Sequence, residues 1–239
     1  MKLQPLLLVA TGILFGSCVI AINDTGASFG NLSSFSSHGT GPVHVGSGRL
    51  GVEKRETEAF QTVVARGSMD VKVTLAPDMA RGSVEVLADD NLLEFVRTEV
   101  QNGTLFVDLE DGSYSSRRSM VIRVRTAHLN SIALEGSGDF QVEGLQEESF
   151  QVRLEGSGDV SVKGQAQRLA VDLEGSGDID LGRLVAEEAN VALEGSGDIR
   201  VHAKKRLTIA ITGSGDVSYR GHPELSINVV GSGDVNAID

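Results

Sequence analysis

The tetrapeptide Gly-Ser-Gly-Asp occurs six times in this chain, beginning at Gly136, Gly156, Gly175, Gly195, Gly213 and Gly231. Successive copies lie 20, 19, 20, 18 and 18 residues apart. Self-similarity at a near-constant period of this size points to a stack of identical units rather than one globular core. Around each copy, apolar residues alternate with polar or small ones. Three lead in, as in Phe150/Val152/Leu154 and Leu207/Ile209/Ile211, and two lead out, as in Val160/Val162 and Ile199/Val201. Period 2 is the strand period, so each unit reads as strand, corner, strand, second corner. Identical corners at constant register stack when every coil winds the same way over the last. The expected fold is therefore all-β, a right-handed parallel β-solenoid with about 16–20 residues per coil.

Glycine at the corner has a physical cause. A sharp change of strand direction calls for a positive φ, and stacked coils leave little room for a Cβ. A second corner is marked by Gly144, Gly164, Gly182 and Gly221, and the segments after it vary in length: Leu145 to Ser149, Gln165 to Arg168, Arg183 to Glu188, Lys204 to Arg206 and His222 to Glu224. One edge of the solenoid is thus uniform and the other irregular. Irregular loops on a rigid scaffold are where binding residues concentrate.

Upstream of the repeats the pattern is looser. Val63-Val64, Val71/Val73/Leu75, Val84/Val86, Leu105/Val107/Leu109 and Val121-Ile122/Val124 read as short strands. Arg66-Gly67-Ser68-Met69-Asp70 reads as a degenerate copy of the corner, and residues 88–100 fit helix and strand equally. Asp111 to Ser119 reads as a polar, mobile loop. This less regular β portion is expected to act as a cap, because the terminal units of a solenoid must cover the apolar end of the stack. Residues 23–51, rich in Gly, Ser, Thr and Asn, bury too little to order themselves. The expected organisation is a leader over 1–17, a tether over 18–59 and a solenoid domain over 60–239, with regular repeats over 130–239.

Lys2 followed by the apolar run Leu6 to Phe15 has the form of a signal peptide and is too short to span a membrane. Cys18, the sole cysteine, follows directly in Leu14-Phe15-Gly16-Ser17-Cys18, which resembles a bacterial lipobox. A lone thiol in an exported chain calls for a use, and lipid attachment at Cys18 supplies one. Val19 after the cysteine then suggests the outer membrane. Cleavage after Val19-Ile20-Ala21, giving a periplasmic or secreted product, is the competing reading.

With 21 basic against 33 acidic residues and a net charge of −12, the chain is a poor match for nucleic acid. Aromatic content of 4% without tryptophan leaves few platforms on which sugars or bases could stack. No catalytic residues emerge: the corner serine recurs six times where an active site is needed once, and it lacks the Gly-x-Ser-x-Gly spacing of a nucleophile elbow. The five histidines show no metal-ligand spacing. The corner aspartates Asp139, Asp159, Asp178, Asp198, Asp216 and Asp234 are expected to stack in one column. Carboxylates about 4.8 Å apart repel, so the column needs compensation. Backbone N–H groups of the same or the adjacent turn would supply it. Ca²⁺ would also do so, with Glu135, Glu155, Glu174 and Glu194 as further ligands, although one aspartate per coil is far short of the six or more oxygens that Ca²⁺ takes.

Together, Val84-Glu-Val-Leu-Ala-Asp-Asp-Asn-Leu-Leu93, Thr98-Glu-Val-Gln-Asn-Gly-Thr-Leu-Phe-Val107 and the serial Leu-Glu-Gly-Ser-Gly-Asp units resemble the head GIN domain family, described as "putative auto-transporter adhesin" heads. The resemblance covers about Phe60 to Asp239 and implies a parallel β-helical fold in an exported or lipid-anchored envelope protein, without implying any catalytic residue. The function expected is a non-enzymatic envelope module that binds an envelope or extracellular macromolecule and meets the membrane only through its lipid. A β-helical carbohydrate-active enzyme and a Ca²⁺-stabilised structural envelope protein are the alternatives. Because only Val235 to Asp239 follows the last corner, the C-terminal coil is expected to expose an unpaired edge and to associate with its own copies.

Overall fold

The computed structural model describes residues 42–238, and no α-helix occurs among them. The leader, Cys18 and most of the tether lie outside the described residues. In chain order the strands are β1 (Val43–Val45), β2 (Leu50–Glu56), β3 (Thr62–Gly67), β4 (Asp70–Leu75), β5 (Ser83–Asp89), β6 (Val96–Gln101), β7 (Thr104–Leu109), β8 (Ser113–Ser115) and β9 (Val121–Thr126). They continue with β10 (Ser131–Gly136), β11 (Phe140–Gly156), β12 (Val160–Gly175), β13 (Ile179–Gly195), β14 (Ile199–Gly213), β15 (Val217–Arg220), β16 (Glu224–Gly231) and β17 (Val235–Ala237).

The fold is the expected parallel β-solenoid. From β10 onward every neighbouring pair is parallel and the corner glycines stand in register: Gly67, Gly136, Gly156, Gly175, Gly195, Gly213 and Gly231 form one column. Inward side chains repeat in layers, so that Leu134, Leu154, Leu173, Leu193 and Ile211 are all at most 1% exposed. The second corner differs from expectation. It does not interrupt the strand; β11 runs unbroken through Gly144 with a register shift there, because a bulge turns the chain without ending its pairing. Gly144 and Gly164 have φ of +82° and +149° at this place.

The order of stacking departs from the order of sequence. β3 and β4 make a coil, and β7 and β9 make the coil on its far side from β10 and β11. The chain thus lays its second coil first, then returns to continue the stack. Residues 88–100, ambiguous by pattern, end as a 3₁₀ turn (Leu93–Phe95) followed by β6. β6 pairs antiparallel with β7, while β5 pairs antiparallel with β9. Antiparallel strands close this end of both ladders, which is the expected cap.

Order begins earlier than Phe60. β2 lies antiparallel on β5 and β1 lies parallel on β8, so the tether does not reach residue 59, and Asp111–Ser119 is not loop throughout, since its Ser113–Ser115 is a paired strand. Neither strand is held mainly by burial, which is why composition hid both: Leu50 and Val52 remain 54% and 51% exposed. Arg55 fixes β2 instead, donating hydrogen bonds to Glu53, to the carbonyls of Leu93 and Val96 and to Thr98 Oγ1. His44 on β1 packs between Phe95 and Tyr114, with ring centroids 4.0 and 5.2 Å away.

Candidate functional site

The repeated corner is the first candidate, and its atoms are largely occupied. Each corner serine donates its N–H to the first-glycine carbonyl of the preceding coil at 2.8–2.9 Å. In every coil but the last, the residue after the aspartate donates its N–H onward, as Val160 does to the Asp178 carbonyl at 2.9 Å. That leaves the aspartate N–H, which the carboxylate of the preceding coil accepts: Asp178 N to Asp159 Oδ1 at 3.3 Å, Asp198 to Asp178 at 2.9 Å, Asp216 to Asp198 at 3.1 Å and Asp234 to Asp216 at 2.8 Å. Asp70 does the same for Asp139 at 3.3 Å, so the degenerate corner works like the others. The aspartate column is thus a set of side-chain caps for backbone groups that cannot find a carbonyl at the bend.

Met69 shows why the second glycine is needed. A Cβ at Gly138, Gly158, Gly177, Gly197, Gly215 or Gly233 would stand 1.9–2.2 Å from a carbonyl of the coil beneath. The equivalent position in the degenerate corner is Met69, only 1% exposed, because the coil beneath it makes the detour through residues 110–120 and presents no matching corner.

Asp139, Asp159, Asp178 and Asp180, with Gln141 and Ser161, line an open hollow of about 240 Å³ beside this column. Burial first, then the charges of Asp70 and Asp159, pushes the Asp139 carboxyl above the ordinary aspartate value, with Lys72 and the Asp159 N–H acting the other way. Among the described residues no group of three or more His, Cys, Asp or Glu side chains is arranged to hold a metal ion. Three of the four glutamates that precede the corners turn to arginine: Arg66 pairs with Glu135 at 2.8 Å, and Arg153 bridges Glu155 and Glu174, reaching Asp172 as well. Burial raises the pKa of both Asp172 and Glu174, with Arg153 opposing.

A carboxyl whose folded-state pKa lies above its unfolded value binds its proton more tightly in the native chain. It therefore disfavours folding at neutral pH, and that cost vanishes as the pH falls through the raised value. Asp139→Asn, which keeps an acceptor but loses the charge, is expected to raise the melting temperature at pH 7. The gain over wild type should shrink on titration toward pH 4; a constant gain would contradict the raised pKa.

The irregular edge has a different character. Glu143–Lys163 (2.7 Å), Glu187–Lys204 (3.4 Å), Glu187–Lys205 (3.1 Å) and Glu188–Arg206 (3.1 Å) join neighbouring coils along it, and these basic side chains are 44–71% exposed. Pattern reasoning located this edge by its variable length. It did not find the hollow of about 570 Å³ at the C-terminal end, lined by His202, Tyr219, Arg220, His222, Pro223 and Ile238, because those residues converge only through the stacking of β14, β15 and β17.

A stack with an occupied corner ladder and an extended, charged second edge defines a β-solenoid scaffold. The family profile described as "Putative auto-transporter adhesin, head GIN domain" matches residues 59–223, and the chain belongs to that family. A solved structure of a "putative adhesin" from Bacteroides fragilis NCTC 9343 shares 25% identity at a TM-score of 0.67, covering 82% of this chain and all of the other. A "putative adhesin" from Parabacteroides merdae ATCC 43184 superposes with a TM-score of 0.58 at 19% identity, over 83% of this chain and all of the other. A "putative lipid binding protein" from Parabacteroides distasonis ATCC 8503 does so with a TM-score of 0.52 at 23% identity, over 82% of this chain and all of the other. These two likenesses carry the fold alone. No curated protein matches the sequence.

Proposed function

We propose that the protein is a non-enzymatic, adhesion-type module, held to the outer membrane through a lipid on Cys18, that binds another envelope or extracellular macromolecule along its irregular edge. The observation that carries this reading is the contrast between the two edges. At the regular corners the backbone N–H groups and the aspartate carboxylates are used coil to coil, so that edge serves the stack. Along the other, Lys163, Lys204, Lys205 and Arg206 sit in exposed ion pairs, which contribute about 0–1 kcal/mol each and are easily exchanged for pairs with a partner. Membership of an adhesin-type family supports the same reading.

The test is capture of envelope components by the immobilised full chain, together with an assay for new reducing ends when the chain is incubated with envelope polysaccharide. Retention without new reducing ends is expected. Release of reducing ends would favour the carbohydrate-active alternative. Anchoring has its own measurement: mature protein from membranes should carry a diacylglyceryl mass increment on Cys18, and a soluble product beginning at Ile22 would refute it.

A further inference from the structure

At the C-terminal end the core continues into solvent. β16 stands in register with β14, so that Leu225, Ile227 and Val229 extend the rows of Leu207, Ile209 and Ile211. Those three are at most 1% exposed, whereas Leu225, Ile227 and Val229 are 41%, 47% and 38% exposed. Among the described residues β16 pairs only with β14. Strands of a parallel ladder direct alternate residues to either side, so every second N–H and C=O of β16 faces away from the stack.

Natural edge strands are protected by Lys, Pro, inward charges or bulges. From Leu225 to Val230 there is no charge and no proline. The outward rows explain what this suits. The row of Val230 carries Glu135, Glu155, Glu174 and Glu194 in the earlier coils, then Thr212 and Val230 in the last two. The row of Asn228 carries Arg153 and Asp172, then Ala192, Ala210 and Asn228. Charge is lost from these two rows at the C-terminal end, while the row of Arg168, Glu188, Arg206 and Glu224 keeps it as far as the start of β16. A two-fold axis sets each residue opposite its mirror position, and only the residue on the axis meets its own copy, where like charges destabilise; with the axis at Asn228 that residue is neutral, and the outward residues beside it, Ser226 and Val230, face each other without charge. A charged partner would have favoured the reverse.

We infer that β16 pairs antiparallel with β16 of a second copy about a two-fold axis at Asn228, setting Ile227 opposite Val229 of the partner copy and closing the apolar end of both stacks. The N-terminal segment over 23–41 is a poor substitute, since its Gly/Ser-rich sequence has no alternating apolar run to continue the core. The inference stands apart from the envelope-binding reading, since a chain that is monomeric yet captures envelope components would overturn it alone.

Light scattering of the full chain at micromolar concentration should give twice the monomer mass. Asn228→Lys and Asn228→Asp, both at an exposed outward position, should each give the monomer mass with unchanged circular dichroism. Mixing the two variants should restore the double mass by setting opposite charges across the axis. A monomeric wild type, a mass that climbs with concentration beyond two copies, or a dimer indifferent to both substitutions would each overturn the inference.

Discussion

Gly175→Ala should lower the unfolding free energy by about 2–5 kcal/mol, the sum of about 1–2 kcal/mol for holding a side chain at positive φ and about 1–3 kcal/mol for overpacking. Gly175 has φ +138°, and a Cβ there would stand 2.1 Å from the Gly156 carbonyl oxygen, which the coil beneath cannot move without breaking its own register. Two other glycines separate the causes. Gly67 has φ +91° but open space around its missing Cβ, so Gly67→Ala should cost about 1–2 kcal/mol. At Gly182 φ is ordinary and the nearest atom is Arg200 Cδ at 3.1 Å, the end of a flexible side chain, so Gly182→Ala should change stability by less than about 1 kcal/mol. Urea midpoints measured side by side check the order. Equal losses at Gly175 and Gly182 would show that coil-on-coil contact does not govern the corner.

Leu173→Ala is expected to cost about 3–4 kcal/mol, the range for a leucine removed from a core that cannot collapse. Leu173 is fully buried, and its Cδ2 lies 3.0 Å from where a Cβ on Gly197 would stand, so the leucine of one coil fills the space under the second glycine of the next. The backbone ladders on either side hold the coil spacing fixed and leave the cavity open. Val229, at the end of the same row, is 38% exposed. In dilute solution, where the chain is monomeric, Val229→Ala should cost less than about 1.5 kcal/mol. Thermal or urea unfolding of both variants checks the gradient along the row, and a similar loss at the two positions would contradict it.

What could be read from the sequence was whatever repeats. The alternation fixed the inward rows, the glycines fixed the corners, and even the corner at Gly67 was visible with Met69 in place of a glycine, because the residues around it kept their spacing. The backbone role of the aspartates was also legible, since the bend leaves one N–H per coil without a carbonyl. What escaped were features made by contacts between remote segments. β2 owes its place to Arg55 reaching Leu93, Val96 and Thr98, and β1 to His44 between Phe95 and Tyr114; no local pattern announces either. The exchange in stacking order, with β7 and β9 outside β3 and β4, is likewise invisible to periodicity, which records what a strand buries but not which neighbour covers it.

The claim that the corner ladder serves the stack while the other edge serves a partner is tested most directly by one binding comparison. Asp159, Asp178 and Asp198 are replaced together by Asn in one variant, which keeps every acceptor of the ladder; Lys204, Lys205 and Arg206 are replaced together by Glu in another. Retention of envelope components is then measured for both beside wild type. The account predicts that the asparagine variant retains them as wild type does, and that the glutamate variant loses them. Loss in the asparagine variant with retention in the glutamate variant would contradict it.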